Sequence, residues 1–350
     1  MLCGRSQGRR PGVVMPQIYP HPSELFDLEI VLPVHPTGKW QGRLESFRRF
    51  GLLPAPSLRV RLVLLCGTYD LDPELRDAGA WPGIESVAVV NTSSDHSAAK
   101  IYDYYANVLP EEGLLARWYL RLHDDSLSDI RRLVNHLDFS FHWRDPLHLA
   151  GCVVAQTHPA YVTTLRELGG ERILQGIGCG FVFHEREHCV SSHETMRRIL
   201  AHRMARELLR RAALIPNGDG DHCLSYAARI AGIPLSPAPF LSDEGHLDEF
   251  AAFTPKGNGF FHIHSFSPDR PAAWASYMDA RRELGLSFDA PREPEAPDDG
   301  FWPKHLKSFR RSPSSRSFSF QGATGEEARP TSGRATHIFC STEAARFRKS

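Results

Sequence analysis

Four groups of residues in this 350-residue chain have types and spacings suited to chemistry. His123-Asp124-Asp125-Ser126 sets an imidazole and two carboxylates side by side. Asp221 closes the turn-rich run Pro216-Asn217-Gly218-Asp219-Gly220. Phe260-Phe261-His262-Ile263-His264 alternates as a strand does, which puts His262 and His264 on one face. Two carboxylates and an imidazole suit a divalent cation such as Mn²⁺, whereas Mg²⁺ prefers more oxygen. A cation there would act as a Lewis acid and neutralise a diphosphate leaving group. A separate carboxylate could then serve as general base toward an acceptor hydroxyl. The fourth group, His184-Glu185-Arg186-Glu187-His188, fits H-E-x-x-H, in which two His one helical turn apart bind zinc and the Glu activates water. Both x positions are charged here, where that helix wants apolar or small residues, and Glu194 stands where a third His would follow. A solvated polar stretch is the plainer reading, with a zinc protease as the remote alternative.

The elements that must position these groups alternate along the first half of the chain. Leu28–Val34 reads as a strand, followed by a turn at His35–Gly38 and a helix carrying Trp40, Leu44 and Phe47. Val60–Cys66 is a second strand, then a short helix over Asp72–Ala78 with Pro73 in its first turn. Ser86–Val90, a helix over Ala98–Val108 and the strand Trp118–Leu122 complete the pattern. Short Val/Leu-rich strands alternating with helices predict an α/β fold, a mostly parallel sheet with helices on both faces. The fourth strand runs straight into His123-Asp124-Asp125, and open α/β sheets bind ligands beyond the carboxyl ends of their strands. The same Asp and Ser would equally cap a helix beginning near Leu127, and both readings stand at this point. Further on, Gly176, Gly178 and Gly180 alternate, which favours close backbone approach to a ligand or a tight strand crossing. Residues 193–214 read as one long basic amphipathic helix with a solvated charged face, and His222–Ala231 as a helix ended by Gly232.

Composition bounds the rest. Lys plus Arg and Asp plus Glu are 41 each, with a pI near 7.3, so no net field draws the chain to nucleic acid or to an anionic membrane. Hydrophobic residues at 41% supply a real core and exclude global disorder. The 7 cysteines are odd in number, scattered and without a C-x-x-C pair, which argues against a disulfide framework and for a reducing compartment. No apolar run reaches membrane-spanning length and the basic N-terminus lacks a signal-peptide core, so the expectation is a soluble, cytoplasmic protein. Residues 1–26 read as a disordered arm, 27–285 as the folded domain and 286–350 as a basic Ser/Pro-rich tail. Residues 291–350 hold 11 basic and 7 acidic residues, a net of +4 that leaves −4 on the remainder.

The motifs occur in the order seen in the fringe and β1,3-galactosyltransferase-type glycosyltransferases, which the chain resembles over about residues 27–280. Trp118-Tyr119-Leu120-Arg121-Leu122-His123-Asp124-Asp125-Ser126 resembles their W-[FY]-x-x-x-D-D-D-T strand. Lys100-Ile101-Tyr102 lies on the preceding helix. Gly176–Phe181 resembles their G-G-A-G-[YF] segment. Gly220-Asp221-His222-Cys223-Leu224, with Ala231-Gly232-Ile233, resembles their acidic helix, and Phe261–His264 their F-H-x-H. The resemblance implies the GT-A fold, a Rossmann-like nucleotide-diphospho-sugar transferase. It also implies inverting, metal-dependent transfer of a hexose or N-acetylhexosamine from a UDP-sugar to a hydroxyl on a glycan or glycoprotein. Under it Asp125 binds Mn²⁺ (or Mg²⁺), His123 and either His262 or His264 are further metal ligands, and Asp124 supports the metal or touches the ribose. Asp221 is the general base, and Val34, His35, Thr37, Lys39, Lys100, Gly178 and Gly180 line the nucleotide. Trp143-Arg144-Asp145-Pro146 falls near the acceptor by the same analogy. His123 and Gly220 stand where the family has acids and Ser225 where it has glycine, and the family's Golgi membrane anchor and cysteine pattern are missing. A catalytically degenerate sugar-nucleotide- or glycan-binding member is the alternative.

Overall fold

Val60-Arg61-Leu62-Val63-Leu64-Leu65-Cys66 is buried along its whole length, which only a sheet covered on both faces allows. The computed structural model describes residues 19–34, 43–53, 55, 57–68, 71–92, 95–124, 126–150, 153–156, 159–170, 182–185, 189–215, 220–238, 241–242 and 262–263. Its strands are β1 (Phe26–Pro33), β2 (Leu52–Leu53), β3 (Val60–Cys66), β4 (Ser86–Asn91), β5 (Ala116–Arg121), β6 (Leu127–Asp129) and β7 (His148–Ala150). β8 (Val153–Gln156), β9 (Val182–Glu185), β10 (Cys189–Ser192), β11 (Leu235–Pro237), β12 (Leu241–Ser242) and β13 (His262–Ile263) follow. Seven of these form one sheet in the order β11-β7-β10-β5-β1-β3-β4. β1 lies parallel to both β3 and β5, with Ile30 opposite Leu62 and Leu120. β4 extends the parallel set beyond β3, and β10 runs antiparallel between β5 and β7. The result is a mostly parallel mixed sheet. A smaller sheet, β12-β13-β6-β2, and the antiparallel pair β8-β9 stand beside it.

The helices are α1 (Arg43–Phe50), α2 (Ser97–Asp103), α3 (Leu109–Glu112), α4 (Ile130–Ser140), α5 (Pro159–Glu167), α6 (His193–Ala201), α7 (Arg203–Ala212) and α8 (Gly220–Ile230). Successive strand residues point to opposite faces, so each strand feeds two cores. Leu28, Ile30, Leu32, Leu62 and Leu64 pack with Leu44 and Phe47 of α1 and Leu133, Val134 and Leu137 of α4. Val31, Val63, Leu65 and Tyr119 face α2, α6, α7 and α8. Among the described residues no helix is long and apolar enough to cross a membrane, and Cys66 and Cys189 are buried free thiols.

The structure departs from the sequence-based expectation in several places. The segment ahead of β1 packs on the fold: the Tyr19 hydroxyl donates to Glu194 at 2.9 Å and its ring packs edge-on against Trp143. The helix expected over Asp72–Ala78 is two 3₁₀ turns, capped by Asp72 and Asp77. The helix after β4 passes through a π-helical turn, Tyr104–Val108, before α3. The long basic helix is two helices, broken at His202, whose backbone is extended (φ −86°, ψ 109°). Gly232 ends α8 as expected, at φ 77°.

Candidate functional site

Parallel strands finish on a common edge, and four strand ends meet there: Val34 after β1, Thr68 beyond β3, Thr92 after β4 and His123-Asp124 after β5. The order β5-β1-β3 makes the crevice between β1 and β5 a topological switch point, because the chain leaves β1 toward β3 on one side and later returns as β5 on the other. That is where open α/β sheets bind ligands. Beneath the crevice the Lys100 ammonium donates to the Val34 carbonyl at 2.7 Å. Lys100 is fully buried. Burial lowers its pKa, while the charges of Cys66, Asp95 and Asp124 pull it back up. Lys100 and Val34 thus come together, with Lys100 bracing the end of β1 from below. Next to them Asp95 accepts from the Thr68 backbone N–H at 2.8 Å and from its hydroxyl at 3.0 Å, tying the loop after β3 to the segment before α2.

The helix-cap reading of the acidic run does not hold. β6 intervenes before the next helix, and α4 is capped by Asp129, whose carboxylate accepts from the Arg132 N–H at 3.1 Å. His123 and Ser126 instead close a turn: the Ser126 N–H donates to the His123 carbonyl at 3.1 Å, and the His123 N–H to the Ser126 hydroxyl at 3.3 Å. Within that turn Asp124 is buried, and its Oδ1 lies 3.0 Å from Nη2 of Arg43, the first residue of α1. The ion pair spans the switch point, joining the element after β1 to the turn after β5. Sequence reasoning missed Arg43, because only the fold brings it to Asp124. It also passed over Arg121, fully buried at the end of β5, which the sequence signals as a charge inside an apolar strand.

Two further assigned groups reach this edge by backbone. β13 pairs antiparallel with β6, setting His262 opposite Ser128, directly after the His123–Ser126 turn. Asp221 lies in the first turn of α8. α8 leads through a short turn into β11, which runs parallel to β7, so the helix points back along the strands and starts at their carboxyl edge. His35, Thr37, Lys39, Asp125, Gly178, Gly180 and His264 lie outside the described residues. Among the described residues no three His, Cys, Asp or Glu side chains form a metal-binding group. Asp124, assigned to support the metal or touch the ribose, is paired with Arg43.

Two expectations are corrected. The H-E-x-x-H reading needs a helical turn, but His184 and Glu185 lie in β9, paired antiparallel with β8. Trp143 is at the opposite edge of the sheet. Its ring meets His193 edge-on at 5.4 Å, and His193 Nδ1 lies 2.9 Å from the carbonyl of Ala116, the first residue of β5. The length of β5, about 17 Å, separates that point from the Asp124 turn. The acceptor analogy for Trp143–Pro146 followed sequence order, and the fold turns this loop to the underside.

No protein-family model matches the chain, and no curated protein matches it. Among solved structures, the chain is similar to the galactosyltransferase LgtC in complex with donor and acceptor sugar analogues, at 13% identity, TM-score 0.37, over 75% of this chain and 98% of that one. It is also similar to mouse xyloside xylosyltransferase 1, apo form, at 10% identity, TM-score 0.37, over 69% of this chain and 97% of that one. Both superpositions are loose, and neither enzyme's chemistry is carried to this chain.

Proposed function

We propose that this chain is a sugar-nucleotide-dependent glycosyltransferase of the GT-A type, fringe-like in its motifs, that moves a hexose or N-acetylhexosamine from a UDP-sugar to a hydroxyl on a glycan or glycoprotein. The observation that carries this reading is the pairing of the His262 strand with β6, which sets the late histidine strand beside the His-Asp-Asp turn at the switch point. That pairing, with Lys100 beneath the end of β1 and α8 starting at the carboxyl edge of the strands, supports the reading for four of the motifs.

In this reading Asp221 takes the proton from the acceptor hydroxyl as its oxygen bonds to the anomeric carbon and the bond to the diphosphate breaks on the opposite face, so UDP leaves and the sugar inverts. The residues beyond Val34 and the glycine segment at Gly178 and Gly180 hold the nucleotide. Asp125, His123 and His262 or His264 would hold Mn²⁺ or Mg²⁺, which would supply positive charge to offset that of the diphosphate. Calorimetric titration of UDP in the presence of Mn²⁺ tests the reading. Saturable binding that weakens at least about tenfold in Asp125→Ala is expected; no heat at millimolar UDP rejects it. A non-catalytic binding protein is the second reading, favoured by His123 at an acid position and by the ion pair that occupies Asp124. In that case Asp221→Asn changes no measured property.

A further inference from the structure

We infer that Arg121 is a positioning residue for the general base: its guanidinium, buried under the first turn of α8, pairs with the Asp221 carboxylate and aims it at the acceptor hydroxyl. This rests on the glycosyltransferase reading and adds a residue that the family resemblance does not assign.

Three observations lead to it. The first is the direction of the side chain. Arg121 is the last residue of β5 and is fully buried. Its neighbours in register are Val31 of β1 and Cys189 of β10. Both belong to the core shared with Leu224, Ala227 and Ala228 of α8. Residues in register point to the same face of a sheet, so the Arg121 side chain leaves β5 toward α8.

The second observation is where α8 begins. It packs on one side against α2, which lies on β1 and β3, and its end leads into β11 at the far edge of the sheet. The helix thus crosses the strands between, with its start on the side of α2 and β5. It starts at the carboxyl edge, where β5 ends, so its first turn, with Asp221, stands over Arg121.

The third observation is the charge. A helix N-terminus carries positive partial charge, and a buried guanidinium beneath it adds a full one. Burying the two together calls for a carboxylate between them. The described acids at this edge are held elsewhere. Asp124 is paired with Arg43 of α1, which packs on the opposite face of the sheet, and Asp95 is bonded to Thr68 beyond β3. The acid that the sequence supplies in the first turn of α8 is Asp221. A planar guanidinium fork fixes a carboxylate in orientation as well as in charge, which is what a general base needs.

The test is a double-variant cycle on UDP release by the full-length protein in Mn²⁺, with the UDP-hexose or UDP-N-acetylhexosamine that wild type turns over. Arg121→Met is expected to lower kcat at least about tenfold with the donor KM within about threefold of wild type, since the base loses its aim and the donor loses no contact. Arg121→Lys keeps a charge at the position and is expected to bring kcat back to about threefold below wild type. In an Asp221→Asn background either Arg121 variant is expected to cost less than about twofold more, because residues that act as a unit are not additive. An Arg121→Met protein with wild-type kcat overturns the inference, and so does a loss in the Asp221→Asn background equal to that in wild type. Arg121→Lys carries the cycle if Arg121→Met does not fold, and a threefold loss that persists with Asp221→Asn overturns the inference equally. Absence of UDP release by wild type from every donor instead rejects the glycosyltransferase reading, and the inference with it.

Discussion

Asp124 and Asp129 are alike in type and close in sequence, yet their surroundings divide their roles. Asp129 accepts from the Arg132 N–H and starts α4, whereas Asp124 faces Arg43 across the strand ends. Asp129→Ala is therefore expected to destabilise the fold by about 1 kcal/mol in urea unfolding with UDP affinity unchanged. Glu194 makes a pH prediction. Burial pushes its carboxyl up, but hydrogen bonds from Arg197, Arg198 and Tyr19 outweigh burial and hold its pKa at about 2, against an ordinary 4.5. A depressed acid pKa contributes stability that is complete above the unfolded value and is lost as pH falls from about 4.5 to about 2. The ceiling is about 3 kcal/mol, reduced by solvent around the two arginines. The stability gap between wild type and Glu194→Gln should therefore close between pH 5 and pH 2.5. At this scale the sequence reveals His123, Asp124, Lys100 and His262 as candidates, because residue type at a strand end or on a strand face is a local property. Arg43 is not legible, because its partner lies on a distant strand, and an Asp-Ser run before an apolar stretch looks the same as a cap or as a binding turn.

Glu29 shows what the elements carry apart from the site. It is fully buried on β1, paired with Arg61 of β3 at 2.8 Å, and accepts from the Tyr104 hydroxyl at 2.7 Å, while Arg61 also reaches Glu112 at 2.7 Å. The network joins the sheet to the π-helical turn and α3, near the strand starts and away from the candidate site. Arg61→Met leaves the Glu29 carboxylate buried without its counter-charge and is expected to cost 3–5 kcal/mol, about the range for such breaks. The double variant Glu29→Met/Arg61→Met should recover much of that in thermal unfolding, with UDP affinity unaltered in both. The strands are legible in the sequence because both faces are buried and their apolar runs are unbroken. β3 is observed over the expected residues, and β1, β4 and β5 within one or two. The break at His202 is not legible, since neither Pro nor Gly marks it and the apolar stripe continues across it into α7. The π-helical turn is equally silent in the pattern.

At the scale of the whole molecule, the segment ahead of β1 is held against the folded part. Tyr19 ties the N-terminal segment to the underside through Glu194, its ring meets Trp143, and Arg144 lies 5.1 Å above that ring. The segment is rich in Pro and His, which hides a strap held by one aromatic side chain. A chain started at residue 27, the boundary that composition alone proposes, is expected to melt about 5 °C below the full-length protein, from loss of the Tyr19 contacts. The neutral total charge carries little information at this scale, since it sums an acidic part over residues 1–290 and a basic part beyond. What places the site is the strand order β5-β1-β3, and that order is not written in any one segment of sequence.

The most direct measurement of the central claim is UDP release from a panel of UDP-hexoses and UDP-N-acetylhexosamines in Mn²⁺, run on wild type and Asp221→Asn together with UDP titrations of both. The account predicts release by wild type from at least one donor, a fall of about 10² to 10⁴ in Asp221→Asn from loss of the general base, and equal UDP affinity in the two proteins. UDP release that is absent for every donor, or unchanged by Asp221→Asn, would contradict it.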